Sequence, residues 1–215
     1  MEGPLCAPVE PDFRLIETLA YRPDQGFVRQ DRHLGRMART AAALDLPFIV
    51  DEALDTLSEV SNEAPLRCRL TMGLSGKFEL TTAPLASNPS HWRLALADTK
   101  LNSSDQWLRH KTTRRKVYDN ARNAMADSVD ELLFLNEHDE LCEGTITNLF
   151  VVTVDGRRLT PALSCGLLPG ILREELLETH EFTEAKLFLA DLLNAQTVYM
   201  GNSLRGLMPV ELENR

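Results

Sequence analysis

From residue 13 the chain alternates in short runs. Phe13-Arg14-Leu15-Ile16-Glu17-Thr18-Leu19 reads as a strand, Pro23-Asp24-Gln25-Gly26 as a turn, and Phe27-Val28 as a short returning strand. From Asp31 the apolar spacing becomes helical, with Leu34, Met37, Ala38, Ala41 and Ala42 on one face, and Asp51 is the N-cap candidate of a second helix. Leu66, Cys68, Leu70 and Met72 alternate with Arg67, Arg69 and Thr71, which predicts a half-buried strand. The turn Ser75-Gly76-Lys77 returns it through Phe78-Glu79-Leu80. Residues 83–90 carry two prolines and few core residues, and the domain boundary is placed there, giving a smaller N-terminal α/β domain (1–86) and a larger C-terminal one (87–215). The second half opens with a strand over residues 92–97. A polar stretch leads into a helix over residues 113–125, strands follow at 131–135 and 149–154, and a loop enters a helix near Ile171. Strands near residues 197–200 and 207–210 end the pattern.

Composition narrows the partners. With 215 residues and 43% hydrophobic content the chain can build a core of one large or two small domains. A net charge of −9 argues against nucleic acid or an anionic membrane as a general partner, although the basic cluster 109–116 can hold a small anion. No stretch approaches the roughly 20 apolar residues of a membrane span. Cys6, Cys68, Cys142 and Cys165 form no CxxC pair, and Met1-Glu2-Gly3-Pro4 lacks the character of a secretion signal, so reduced thiols in the cytoplasm are expected. Nothing in the sequence resembles a metal-ligand set.

Lys111, in Arg109-His110-Lys111-Thr112-Thr113-Arg114-Arg115, is the leading candidate for chemistry. A lysine amine is a poor nucleophile at neutral pH unless burial or neighbouring cations ease its deprotonation, and three arginines crowd this one. Enzymes that hold pyridoxal phosphate (PLP) as a Schiff base need such a lysine, a group facing the pyridine nitrogen and a cradle for the phosphate. Cys142-Glu143-Gly144-Thr145-Ile146-Thr147-Asn148-Leu149-Phe150 offers the carboxylate Glu143, and the amides opening the helix after Leu168-Pro169-Gly170 offer a phosphate site. Taken singly these residues read as a solvated helix start, a loop carboxylate and an ordinary helix entry.

Four motifs, in order, resemble those of fold type IV PLP enzymes, the class of branched-chain aminotransferases, D-amino-acid aminotransferases and 4-amino-4-deoxychorismate lyases. His33-Leu34-Gly35-Arg36-Met37 is similar to the HLxRL helix, Lys111-Thr112-Thr113 to the Schiff-base lysine segment, Glu143 to Phe150 to EGxxxNLF, and Leu168-Pro169-Gly170-Ile171-Leu172-Arg173 to LPGxxR. The resemblance implies a two-domain α/β (α+β) fold of the D-amino-acid aminotransferase type, with PLP in the cleft between domains and a homodimer. It implies that Lys111 binds PLP and shuttles protons, Glu143 pairs with the pyridine nitrogen, and Arg36, the amides of Ile171 and Leu172 and the Ser203 hydroxyl hold the phosphate. The wording from His110 to Arg115, with Gly201-Asn202-Ser203-Leu204-Arg205-Gly206, is most similar to lyase-like modules associated with aminodeoxychorismate synthase.

The expected activity is therefore conversion of 4-amino-4-deoxychorismate to 4-aminobenzoate and pyruvate, a cytoplasmic step of folate biosynthesis beside a synthase partner. Arg205 and Arg115 are expected to bind the acidic amine substrate. Transamination of branched-chain or D-amino acids is the alternative, and a non-catalytic PLP-fold binding protein is the reading from another class. Two departures concern the substrate. The family's aromatic, glycine-rich N-terminal stretch is represented only by Ile16-Glu17-Thr18-Leu19, so the chain is expected to be shortened there. The tyrosine usual a few residues after the lysine is replaced by Arg115 and Lys116, with Tyr118 slightly farther on.

Overall fold

A computed structural model describes residue 10 and residues 12–213 and divides into two compact units. The first takes in the described residues up to Ser87 together with His110–Arg114, and the second Asn88–Arg109 with the described residues from Arg115 on. The fold is a mixed α/β one, as the period changes predict.

In the first unit β1 (Arg14–Arg22) is flanked by β2 (Gly26–Phe27) and β3 (Leu66–Gly73), and β4 (Phe78–Pro84) completes the antiparallel order β2-β1-β3-β4. Helix α1 (Gln30–Ala43) packs on β1 and buries a mixed face in which Leu34, Met37 and Ala41 lie among the polar His33, Arg36 and Thr40. Helix α2 (Val50–Ser58) starts two residues earlier than the N-cap candidate Asp51 predicts. Ile49 is its extended N-cap, without a side-chain cap bond, and Asp51 lies in the first turn, where a negative charge complements the helix dipole.

The order along the chain assigns Lys111 to the second domain, whereas the structure groups His110–Arg114 with the first. The reason is main-chain bonding: Ile16 N–H donates to the Lys111 carbonyl (2.9 Å), Thr113 N–H donates to Arg14 O (2.9 Å), and Leu15 and Thr112 form an antiparallel bridge. The same pairing removes residues 113–115 from the helix predicted over residues 113–125, so α3 spans Lys116–Asn123. The polar stretch before Lys111 forms a short 3-10 helix, Gln106–Arg109.

In the second unit β5 (Trp92–Leu96), β6 (Glu131–Leu135), β7 (Leu141–Gly144), β8 (Asn148–Thr153), β9 (Arg158–Pro161), β10 (Thr183–Ala185), β11 (Ala195–Asn202) and β12 (Gly206–Leu212) make one sheet, ordered β10-β9-β8-β11-β12-β5-β6-β7. Pairing of Glu143 with Asn148 joins β7 back to β8, so six strands close into a ring. Its core is apolar, including Leu94, Leu133, Leu141, Leu149, Val151 and Met200. A second cluster under α3 contains Tyr118, Phe134, Cys142 and Leu167. A third under α4 (Ile171–Glu178) contains Phe150, Leu172, Leu176 and Phe182, and α5 (Leu189–Leu193) follows β10. Cys68, Cys142 and Cys165 are buried free thiols, and Cys6 lies outside the described residues. Among the described residues no helix is long and apolar enough to cross a membrane.

Candidate active site

In the first unit, β1 places Leu15, Glu17 and Leu19 on one face, and Glu17 is a carboxylate with 1% exposure. Arg36 grips it with one edge of its guanidinium, Nε to Oε1 at 2.8 Å and Nη2 to Oε2 at 2.6 Å. His33, one turn earlier on α1, brings Nδ1 within 2.6 Å of Glu17 Oε2. Burial works against ionisation of Glu17, but the Arg36 charge and the hydrogen bonds from His33 and Arg36 hold its carboxyl at about 2. Burial pushes His33 below its ordinary value, against the pull of Glu17, so the neutral ring donates from Nδ1–H. Lys111 is half-buried and follows His110, whose Nδ1 lies 3.2 Å from Thr40 Oγ1 on the buried face of α1. Thr113 Oγ1 accepts from Arg14 N–H at 3.0 Å, so main-chain and side-chain bonds fix the backbone around the lysine.

In the second unit Glu143 has 5% exposure at the β7–β8 junction. Tyr118 Oη donates to its Oε1 at 2.6 Å, and Asn148 Nδ2 lies 3.3 Å from its Oε2 while donating to Leu168 O at 3.0 Å. Asn148 thus links the carboxylate to the Leu168-Pro169-Gly170 loop. Gly170 is required there because a Cβ would collide with Asn148 Oδ1. Gly170 caps α4 in extended conformation without a side-chain bond, and the first amides of a helix have no intrahelical acceptor, which leaves Ile171 and Leu172 N–H suited to an anion. Arg173, 1% exposed, anchors the helix start by donating from Nη2 to Pro161 O at 2.8 Å and pairing with Glu184. The end of β11 approaches this turn closely, since a Cβ on Gly201 would lie 3.1 Å from Leu172 Cδ2. Ser203, 9% exposed, sits in the turn that follows, where Asn202 Oδ1 accepts from Leu204 and Arg205 N–H and Asn202 Nδ2 donates to Ile146 O.

The two expected substrate arginines are engaged within the unit. Arg115 Nε binds Asp119 Oδ1 at 2.8 Å and its Nη2 binds Thr145 O at 2.9 Å. Arg205 Nη1 donates to Asn88 Oδ1 at 3.2 Å, with its guanidinium 5.6 Å from the Trp92 ring centroid, and Asn88 Nδ2 returns a bond to Arg205 O.

Glu131 is a residue the sequence motifs do not single out. It is fully buried, and its carboxylate accepts from Thr145 N–H (3.0 Å), Thr145 Oγ1 (2.5 Å) and Thr147 Oγ1 (2.9 Å), pinning the turn between Glu143 and Asn148. Gly144 is enclosed by the same group, because a Cβ would meet Glu131 Cδ at 3.0 Å and collide with Thr147 Oγ1. Glu131→Gln keeps the shape but turns one acceptor into a donor facing hydroxyl and amide groups. It is expected to cost about 2 kcal/mol and to lower the thermal midpoint by about 4–8 °C in differential scanning calorimetry.

The residues fit PLP by the chemistry of their donors. A buried carboxylate held by a phenol and an amide suits a protonated ring nitrogen, helix-start amides and a hydroxyl suit a phosphate, and a lysine amine suits an aldehyde carbon. Comparison with known proteins agrees. The family described as amino-transferase class IV matches residues 14–212. A solved structure from Mesorhizobium loti, titled a "putative amino-acid aminotransferase", is 41% identical with a TM-score of 0.90, covering 94% of this chain and 100% of that one. The 4-amino-4-deoxychorismate lyase of Pseudomonas aeruginosa is 25% identical with a TM-score of 0.80, over 93% and 82% of the two chains. An aminodeoxychorismate lyase of Vibrio harveyi is 27% identical over 207 residues, 83% of this chain and 75% of the relative. The chain belongs to the class IV aminotransferase family, a family of PLP-dependent enzymes.

Proposed function

We propose that the protein is a PLP-dependent lyase that converts 4-amino-4-deoxychorismate to 4-aminobenzoate and pyruvate. The observation that carries the PLP dependence is the buried Glu143 carboxylate, fixed by Tyr118 and Asn148 beside the Leu168 loop. Likeness to the Vibrio and Pseudomonas lyases along most of both chains favours this reaction within the family. Lys111 and Arg36 in the first unit, and Glu143, Ile171, Leu172 and Ser203 in the second, are each assigned a role toward PLP.

When bound, PLP supplies an electron sink for the carbon that carries the substrate amine. Lys111 Nζ would hold the cofactor at its aldehyde carbon and would serve as the base for the proton on the substrate's amine-bearing carbon. Glu143 would face the pyridine nitrogen and hold the proton there. Arg36 suits the phosphate because its guanidinium is a permanent cation that makes charge-assisted bonds, and Glu17, which accepts from Nε and Nη2, sets its orientation. The amides of Ile171 and Leu172 and the Ser203 hydroxyl complete the phosphate site. Arg115 and Arg205 remain candidates for the substrate's carboxylates, each requiring release from the contacts described above. Aromatisation of the ring drives departure of pyruvate. The reading includes a cytoplasmic homodimer that receives its substrate from an aminodeoxychorismate synthase.

The test is to mix PLP-loaded protein with 4-amino-4-deoxychorismate and measure pyruvate with a coupled dehydrogenase and 4-aminobenzoate by fluorescence. Equimolar release of both is expected, and no release would sink the lyase assignment. The likeness to the Mesorhizobium loti structure supports a second reading, transamination. Conversion of the cofactor to its pyridoxamine form by branched-chain or D-amino acids, without pyruvate release, would select it.

A further inference from the structure

Helix α3 buries Tyr118, whose ring is packed edge-to-face against Phe134 with centroids 5.3 Å apart. Leu101, Leu108, Cys142 and Leu167 belong to the same apolar cluster, and the Arg115 guanidinium lies 5.6 Å from the ring centroid. The ring therefore has little freedom, and its hydroxyl is delivered to one place, 2.6 Å from Glu143 Oε1. A bond of that length from a phenol to a carboxylate is a charge-assisted one. Burial and the neighbouring Glu143 push the phenol well above its ordinary value, so Tyr118 is a neutral donor across the working range. A neutral donor steadies a buried carboxylate without cancelling its charge, whereas a lysine or arginine at the same place would compete with the group the carboxylate is meant to serve.

We propose that Tyr118 is a positioning residue for the cofactor's pyridine nitrogen, acting through Glu143: it orients the carboxylate and weakens its hold on a proton, so the proton stays on the ring nitrogen. The inference rests on the reading that Glu143 faces that nitrogen. It assigns to Tyr118, seven residues beyond Lys111, a task on the carboxylate rather than on the cofactor itself.

The decisive measurement is the 15N NMR signal of the pyridine nitrogen in protein loaded with 15N-labelled PLP. Glu143→Gln should move the signal to the position of an unprotonated pyridine. Tyr118→Phe should move it part of the way in the same direction, and kcat should fall about tenfold with KM nearly unchanged. Site-specific 3-fluorotyrosine at position 118 preserves the shape and is a stronger donor, so it should move the signal the opposite way even if Tyr118→Phe folds poorly. A signal that follows Glu143→Gln but ignores both changes at 118 overturns the inference while leaving the Glu143 assignment standing. A signal indifferent to Glu143→Gln removes that assignment and this inference together.

Discussion

Lys111→Ala is expected to abolish covalent capture of PLP and to lower turnover by about 1,000-fold or more, the combined effect of losing the anchoring amine and the proton carrier. The structure makes this a clean test of chemistry. The backbone at 111–113 is held by bonds that alanine retains: Ile16 N–H to the residue 111 carbonyl, Thr113 N–H to Arg14 O, and Arg14 N–H to Thr113 Oγ1. Buried Thr112 adds a bond from Arg114 N–H to its Oγ1 at 3.1 Å. Removing a half-buried side chain from such a frame should leave the thermal midpoint within about 2 °C of the parent. Borohydride reduction of PLP-loaded protein followed by peptide mass spectrometry reads the result directly. The parent protein should carry the label on Lys111 and the variant none. Label elsewhere in the parent would remove Lys111 from its assigned role, whatever the activity.

The periodicity of the sequence marks the first hairpin, α1, the β3–β4 pair and the main strands of the second unit, because each runs long enough for its apolar spacing to show. β7 and β10 were not legible, because four and three residues are too few for alternation to show; β7 pairs with its sequence neighbours β6 and β8, and β10 with β9 on the far side of α4. The placement of Lys111 was hidden for a different reason, since bonding between residues separated by nearly a hundred positions leaves no local trace. Two of the buried acids, Glu17 and Glu131, carry a signal in strand parity. Glu17 shares strand parity with Leu15 and Leu19, and Glu131 with Leu133, so alternation alone turns both carboxylates inward, where each needs donors. Tyr118 was visible as an aromatic in a polar helix, but its partner became apparent only once α3 lay over the end of β7. Asn148 stood inside a recognised motif without a role, and the structure supplies one by bonding it to both Glu143 and Leu168.

Glu17→Gln should destabilise the protein more than any other single change considered, and in a way that depends on pH. The substitution takes the Glu17 charge away from Arg36, which is 5% exposed, and breaking a buried pair from one side typically costs about 3–5 kcal/mol. Urea unfolding at pH 7 should show a loss of that size. The pH dependence follows from the carboxyl's folded value of about 2 against an ordinary 4.5. Because the folded value is depressed, the contribution is fully present above the unfolded value and is lost as pH falls through 4.5 toward 2. It amounts to about 3 kcal/mol at neutral pH. The parent should therefore lose stability relative to Glu17→Gln across that window, and the gap between them should narrow as acid protonates Glu17. A constant gap down to pH 2 would mean that Glu17 is not the anion holding Arg36. Cofactor affinity gives an independent reading at neutral pH, since an Arg36 fork that keeps an acceptor on only one of Nε and Nη2 should grip phosphate less well. Equilibrium dialysis should show PLP bound about tenfold more weakly, the effect of losing one oriented charge-assisted bond. Weakened folding with unchanged PLP affinity would confine the Glu17–Arg36 pair to a structural role and return the phosphate to the amides of Ile171 and Leu172.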